Sequence, residues 1–525
     1  MKANSNRNIP VTLDVETNSL LPIHAWPVSL ADIIPHMRAF YKIYLKQTVA
    51  VPDSDIRDVL LLGRRPNQTL ALIQLALLTD SALIKGQQLV GPEMVDYFSG
   101  RTDKLPKTLP SLGQNTKPPR FLGLRRLART ASWTSIPKIP KAMLYPDAVS
   151  LTHNSLLREL LHGISDSVRN SYDCDFINMT KKRDMVFLKK IDVAEISSEI
   201  TANLLYDLPL QTEIKVRLSK AIRQLFNESY QDATNILAHL RAVPKLPNKI
   251  YTGTGNKWMS RALGLEIIRR EGEAIRCDHG GSISLLHPPE FVALNELAVS
   301  SKFYVTTKMA AELPELNDAV KLTNPIQSCL IKSANGDPGL EVTHSASHKK
   351  INSSQKLRVM YIPSLFYGLN QASPPVLGGP QYMAWQERLI GILNKMSIDL
   401  TCRPHPGGQK PPHNLNPTRD IALAKKPFES VVANTDVLIY DFPATTTLAV
   451  GLCTDRAIIL LDHGTMKFNE SVSSEIRKRC TLLTCNFDEH NIPFISKDAL
   501  ESAIYDSTRI SDPTYFKQLF LGKLK

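Results

Sequence analysis

The chain has 525 residues, 43% of them apolar and 22% charged, with a formal net charge of +13. This length exceeds one ordinary core and predicts two large domains, and the composition excludes a disordered chain. No apolar run approaches the length that spans a bilayer, Thr69–Leu78 being the best candidate, and the polar start from Met1 to Asn8 does not read as a signal peptide. Seven cysteines without a framework of spacings predict a reducing, cytoplasmic setting. Cys480 and Cys485 are the only close pair, and no second pair completes a zinc site.

Along the chain, a helical stretch is expected from Leu30 to Leu45, a buried strand at Asp58–Gly63, a helix from Thr69 to Leu78 and a strand at Ala82–Lys85. An α/β domain would then begin near residue 58. A basic, Pro-rich insertion follows at 101–141, with ten basic residues against one acid, Asp103, for a net +9. Its middle, Arg120–Arg129, interleaves apolar and basic residues, a pattern that suits an anionic membrane surface or a solvated loop. Nucleic acid is not the expected partner, because aromatic side chains for base stacking are few here. Residues 154–242 are helical in periodicity.

From Lys249 a strand–turn–helix alternation sets in, as a parallel sheet requires. Strands are expected at Lys249–Tyr251, Ala274–Cys277 and Phe303–Thr306, with helices at Met259–Arg270 and Pro289–Ser300. The polar stretch 308–355 reads as an interdomain linker. A second α/β unit, 356–525, has strands at Leu357–Ile362, Ile398–Cys402, Val437–Tyr440 and Ala457–Leu461 and helices at Gln381–Met396 and Pro427–Ala433.

The chemistry gathers where strands end. Ile398–Cys402 runs into Arg403-Pro404-His405-Pro406-Gly407-Gly408, and Val437–Tyr440 into Asp441-Phe442-Pro443-Ala444-Thr445-Thr446-Thr447. A histidine fixed between prolines beside an arginine suits a phosphate, as do hydroxyls where a helix begins. The hydroxyls also suit a simple N-cap, and Arg403 could instead pair with an acid such as Asp399. In the N-terminal unit Ala274–Cys277 delivers Asp278-His279-Gly280-Gly281 to the sheet edge. Histidine has a suitable pKa for a base near neutrality; Asp278 is a rival base or an orienting group, and a bystander histidine in a glycine turn is the plain alternative. Gly253 and Gly255 in Thr252–Gly255 could line the cleft, although the turn lacks the Gly-Lys-Ser/Thr of a P-loop. His463 follows Ala457–Leu461 and could border the donor. No Asp-x-Asp is placed for a divalent ion; Asp173 and Asp175 lie outside any strand–loop context.

The Arg-Pro-His-Pro turn, followed about thirty residues later by Thr-Asp-Val-Leu-Ile-Tyr-Asp and its hydroxyls, resembles the donor domain of GT-B-fold transferases that build bacterial surface polymers. Among these are CDP-glycerol glycerophosphotransferases, capsule Kdo transferases and bacterial sialyltransferases. The resemblance covers residues 247–306 and 356–465. It implies two Rossmann-like domains facing a cleft, an acceptor-side domain (1–307) with a helical elaboration and a donor-binding domain (356–525). It further implies inverting, metal-independent transfer from a CMP-, CDP- or UDP-linked sugar to a glycan or lipid-linked glycan, without a separate cofactor. His279, with Asp278, would be catalytic; Arg403, His405, Thr445, Thr446 and Thr447 would bind the donor phosphate; Gly253, Gly255, Gly280, Gly281 and His463 would line the cleft. A polyol-phosphate transferase, or a non-catalytic relative in polymer assembly, would use the same seat. Residues 101–141 would attach such an enzyme to the inner face of the plasma membrane.

Overall fold

A computed structural model describes residues 11–12, 26, 28–87, 89–90, 93–107, 120–180, 193–255, 257–286, 288–341, 356–364, 377–405, 416–465, 467–506 and 512–523. The chain opens with three helices, α1 (Leu30–Ala50), α2 (Ser54–Gly63) and α3 (Pro66–Ile84). Two of the expected strands are therefore helical. Short apolar runs do not distinguish a strand from a buried helix, and here the cap decides: the Asp53 carboxylate accepts from the N–H groups of Asp55 and Ile56 at 2.8 and 3.1 Å. In α3, Leu70 and Leu72–Leu78 are all buried, so the helix is apolar on every side and runs through the expected strand at Ala82–Lys85. These helices pack against the long helix Thr212–Ala242. A Cβ on Gly63 would lie 2.5 Å from the Tyr230 ring, so glycine is what lets α2 cross that helix closely.

The N-terminal sheet has six parallel strands: β1 (Ala148–Ser150), β2 (Val168–Asn170), β3 (Lys249–Thr252), β4 (Glu273–Cys277), β5 (Lys302–Val305) and β6 (Leu330–Ser333). Their order is β2-β1-β3-β4-β5-β6. The strand β2 falls inside the stretch expected to be helical. Most of the expected linker belongs to this unit, because helices Lys308–Ala311 and Pro314–Thr323 lead into β6, which pairs with β5. Residues 342–355 lie outside the described ones.

The C-terminal sheet is also six-stranded and parallel: β7 (Leu357–Ile362), β8 (Ile398–Cys402), β9 (Ala422–Leu423), β10 (Val437–Tyr440), β11 (Ala457–Asp462) and β12 (Thr481–Thr484). The order is β9-β8-β7-β10-β11-β12. Counted within the sheet this is 3-2-1-4-5-6, the doubly wound order of dinucleotide-binding sheets, whose ligand crevice opens where the winding reverses. Here that point lies between β7 and β10, and in the N-terminal sheet between β1 and β3.

The two units are tied together. The Leu519 carbonyl of helix Thr514–Leu521 accepts from the hydroxyls of Thr306 and Thr307 at 2.9 and 2.8 Å, and the Asp337 N–H donates to the Phe520 carbonyl at 2.9 Å. On another side, the Asn469 N–H donates to Leu285 O at 2.7 Å. No helix among the described residues is long and apolar enough to cross a membrane.

Candidate functional site

At the end of β4 the chain turns through Gly280 and Gly281, with φ of +72° and +74°, a backbone that glycine adopts without steric cost. A Cβ on Gly280 would lie 2.2 Å from Thr446 Oγ1, and one on Gly281 would lie 2.6 Å from the Phe520 ring. The histidine turn of one sheet therefore rests directly on the threonine turn of the other, which brings His279 and Thr446 into one neighbourhood. The His279 ring reaches solvent, while desolvation by surrounding protein lowers its pKa; Asp337 opposes this and Lys257 reinforces it. The neutral imidazole is thereby favoured.

Asp278 is fully buried beneath this turn. Neither carboxylate oxygen has a well-formed hydrogen bond. Burial, with repulsion from Asp337 and Glu296, pushes its pKa up to about 7, and the His279 N–H is the one donor that favours the charged form. Asn154 holds the turn from the switch point: its Nδ2 donates to the carbonyls of Gly253 and Asp278 at 3.0 and 2.8 Å, and its Oδ1 accepts from the Leu157 N–H at 2.7 Å. Asn154 and Asp337 join the site only through folding, since β1 and the loop after β6 are far from His279 in sequence. The N-cap pattern Asn154-Ser155 was the one available signal.

In the C-terminal unit, the Arg403 N–H donates to Tyr361 O at 2.8 Å and its Nη1 to Ala424 O at 3.0 Å. His405 is exposed, and its pKa is lowered by desolvation and by the Arg403 charge. Residues 406–415, including Pro406, lie outside the described ones. Strands β8 and β10 flank β7 in parallel, so the His405 turn and the threonine turn leave the same sheet edge from strands about 10 Å apart. Thr445 caps helix Thr446–Leu452, its Oγ1 accepting from the Leu448 N–H at 3.2 Å and lying 2.9 Å from Thr447 Oγ1. Two of the three hydroxyls are thus joined in the cap, and Thr446 is the exposed one.

Asp441 fixes this turn. Buried at the switch point, its carboxylate accepts from the Ser364 N–H (3.0 Å), the Tyr382 hydroxyl (2.8 Å), Trp385 Nε1 (3.3 Å) and the Tyr361 hydroxyl. Burial raises its pKa and these donors oppose the rise. His463 packs edge-on against Trp385, with ring centroids 4.7 Å apart. Burial lowers its pKa to about 3 although the ring bonds the Asp441 backbone. It is a core residue and does not line an open cleft. Gly253 and Gly255 are likewise buried, their N–H groups donating to Thr152 Oγ1 and to the Glu296 carboxylate. Arg276 and Arg261 secure the same turn through the carbonyls of Thr254 and Gly255, so these glycines shape a packed turn in place of the expected cleft wall.

A cavity of about 650 Å³ lies where the units meet, walled by Arg38 of α1, Leu286 and Pro288 downstream of the histidine turn, Phe442 and Pro443 just before the threonine turn, and Lys467. His279, His405 and Thr446 are not among its wall residues, so the cavity adjoins both motifs without containing them. Asp175, read in the sequence as half of an Asp-Cys-Asp run, pairs with Arg126 at 2.6 Å. All seven cysteines are buried and free. No family model matches the chain, and no curated protein matches it.

Proposed function

We propose that the chain is a GT-B-like transferase that moves a sugar from a CMP-, CDP- or UDP-linked donor to a hydroxyl of a surface glycan. The observation that carries this reading is the contact of Gly280 with Thr446, which joins the histidine turn of one doubly wound sheet to the threonine turn of the other. A neutral His279 takes the proton of the acceptor hydroxyl. The acceptor oxygen then attacks the anomeric carbon from the face opposite the phosphate, the bond from that carbon to the phosphate oxygen breaks, and its electron pair leaves with the nucleotide. One displacement inverts the configuration. Arg403 and His405 stabilise the departing charge through charge-assisted hydrogen bonds, and Asp441 holds the threonine turn in register with them. Asp278, its carboxyl fully buried beneath the turn, is out of reach of the acceptor and leaves the proton transfer to His279, while Asn154 holds the turn through the Asp278 carbonyl.

The basic insertion supports attachment to an anionic membrane. Phe121, Leu124 and Ile136 of the insertion, with Leu144 and Tyr145 just after it, are between 68 and 83% exposed, and Arg120, Arg125 and Arg129 are exposed as well. Apolar anchors interleaved with cations suit the headgroup boundary of such a bilayer.

The test is nucleotide release from CMP-, CDP- and UDP-linked sugars in the presence of glycan acceptor. One donor should be turned over, and His279→Ala should lower the rate by about 100-fold or more. Nucleotide binding without turnover of any donor would point instead to a binding protein.

A further inference from the structure

A second cavity, of about 330 Å³, lies between the N-terminal helices and the helices Trp258–Arg269 and Pro289–Asn295, sharing Tyr41 with the junction cavity but none of the proposed transfer residues, with Arg64, Arg65, Asn67, Trp258, Arg261 and Asn295 in its wall. Its floor is buried positive charge. Arg261 is fully buried and places its guanidinium on main-chain carbonyls only, those of Leu61, Gly255, Leu294 and Asn295 at 2.7–3.1 Å. Arg64 beside it is 4% exposed. Of the nearby carboxylates, Glu296 is engaged by Thr254 and Gly255, and Asp232 acts on Arg65 from the side of the long helix Thr212–Ala242.

The wall also carries polar atoms left over by the fold. Arg65 lies over the Trp258 ring with its Cζ 4.5 Å from the centroid, and its Nε donates to Ser229 Oγ at 2.9 Å. Its Nη2 is buried without a partner, as are Trp258 Nε1 and the Oδ1 of Asn295, a residue only 1% exposed. Arg65 itself has a φ of 38° and opens the 19-residue helix α3, whose cap carries no side-chain hydrogen bond, with Pro66 first and Asn67 second. Two orphaned donors, a helix start and buried guanidinium charge thus surround one concave space, with one orphaned acceptor opposite. An oxyanion satisfies the donors, and a hydroxyl on the same molecule satisfies Asn295. Buried polar groups without partners are costly, which argues that the space is completed by a ligand.

We propose that this cavity binds a phosphomonoester of a hydroxylated small molecule, with Arg65, Trp258 and the start of α3 holding the phosphate. Glucose 6-phosphate is the probe, with glucose as the control. Titrations use the full chain carrying Arg403→Ala and His405→Ala, so that the proposed donor seat does not contribute. Glucose 6-phosphate should bind saturably and change the tryptophan fluorescence, glucose should do neither, and Trp258→Phe should remove the optical change. Arg65→Gln should weaken binding by at least about tenfold. Asn67→Asp is the decisive variant: an acid in the first turn of α3 favours the helix, so the melting temperature should hold or rise while affinity falls. Absence of saturable binding in the millimolar range, or affinity unchanged in both Arg65→Gln and Asn67→Asp, would overturn the proposal.

Discussion

Gly280 and Thr446 touch across the domain junction so closely that a Cβ on the glycine would fall 2.2 Å from the threonine Oγ1. Gly280→Ala therefore meets two obstacles, the clash and a φ of +72°, the latter alone costing about 1–2 kcal/mol. The variant should melt at lower temperature and lose transfer activity. Adding Thr446→Ala removes the hydroxyl and should recover part of the stability. Purely additive losses in the double mutant would show that the two residues do not meet.

Asp278 makes stability depend on pH. Its folded pKa of about 7 stands above the ordinary aspartate value, so between those limits the folded state binds more protons and stability falls as pH rises. Relative to Asp278→Asn, the wild type should lose about 2–3 kcal/mol between pH 5 and pH 8. Asp58, also raised by burial to about 7, contributes equally to both proteins and cancels. Parallel unfolding curves at the two pH values for the two proteins would contradict a buried, protonated Asp278.

Asp441 carries four donors inside the core. Asp441→Asn keeps the shape but removes the charge from these bonds, and charged hydrogen bonds contribute about 1.5–3 kcal/mol each. Urea unfolding should report a loss of about that size, and nucleotide affinity should fall with it because the threonine turn follows directly. Full stability with weakened nucleotide binding would instead place Asp441 in ligand contact.

The exposed apolar side chains of the basic insertion give a separate prediction. Phe121→Ser with Leu124→Ser should abolish co-sedimentation with vesicles rich in anionic lipid and leave melting unchanged, since both side chains are solvent-facing. High salt should release the wild type as well. Binding to neutral vesicles of equal strength would show that charge is not involved.

The central strands were legible because β7, β10 and β11 are largely apolar runs, as parallel buried strands are, and β3, β4, β5 and β8 are short segments of apolar residues that end in turn residues. Three-residue strands such as β1 and β2 carry too little pattern to be seen, and β6 is largely exposed, so the sheet was cut short and its last strand mistaken for linker. The run before Gly63 was ambiguous until its Asp53 cap was placed. Within the site, the meeting of the histidine and threonine turns was implied by resemblance alone. The roles of Asn154 (beyond its N-cap), Asp337 and the carboxylate network of Asp441 depend on contacts between distant segments, which sequence does not carry. His463 and Gly255 are buried although each follows a strand: strand ends face both the cleft and the core, and sequence does not say which.

The most direct test is a thermal-shift panel of CMP, CDP, UMP, UDP, GDP and ADP against the wild type and His405→Ala. A ligand at about 100 times its dissociation constant adds about 2.7 kcal/mol of stability. One pyrimidine nucleotide should stabilise the wild type, and His405→Ala should clearly reduce that shift. Stabilisation by none of them, or an equal shift in both proteins, would contradict a donor seat at His405.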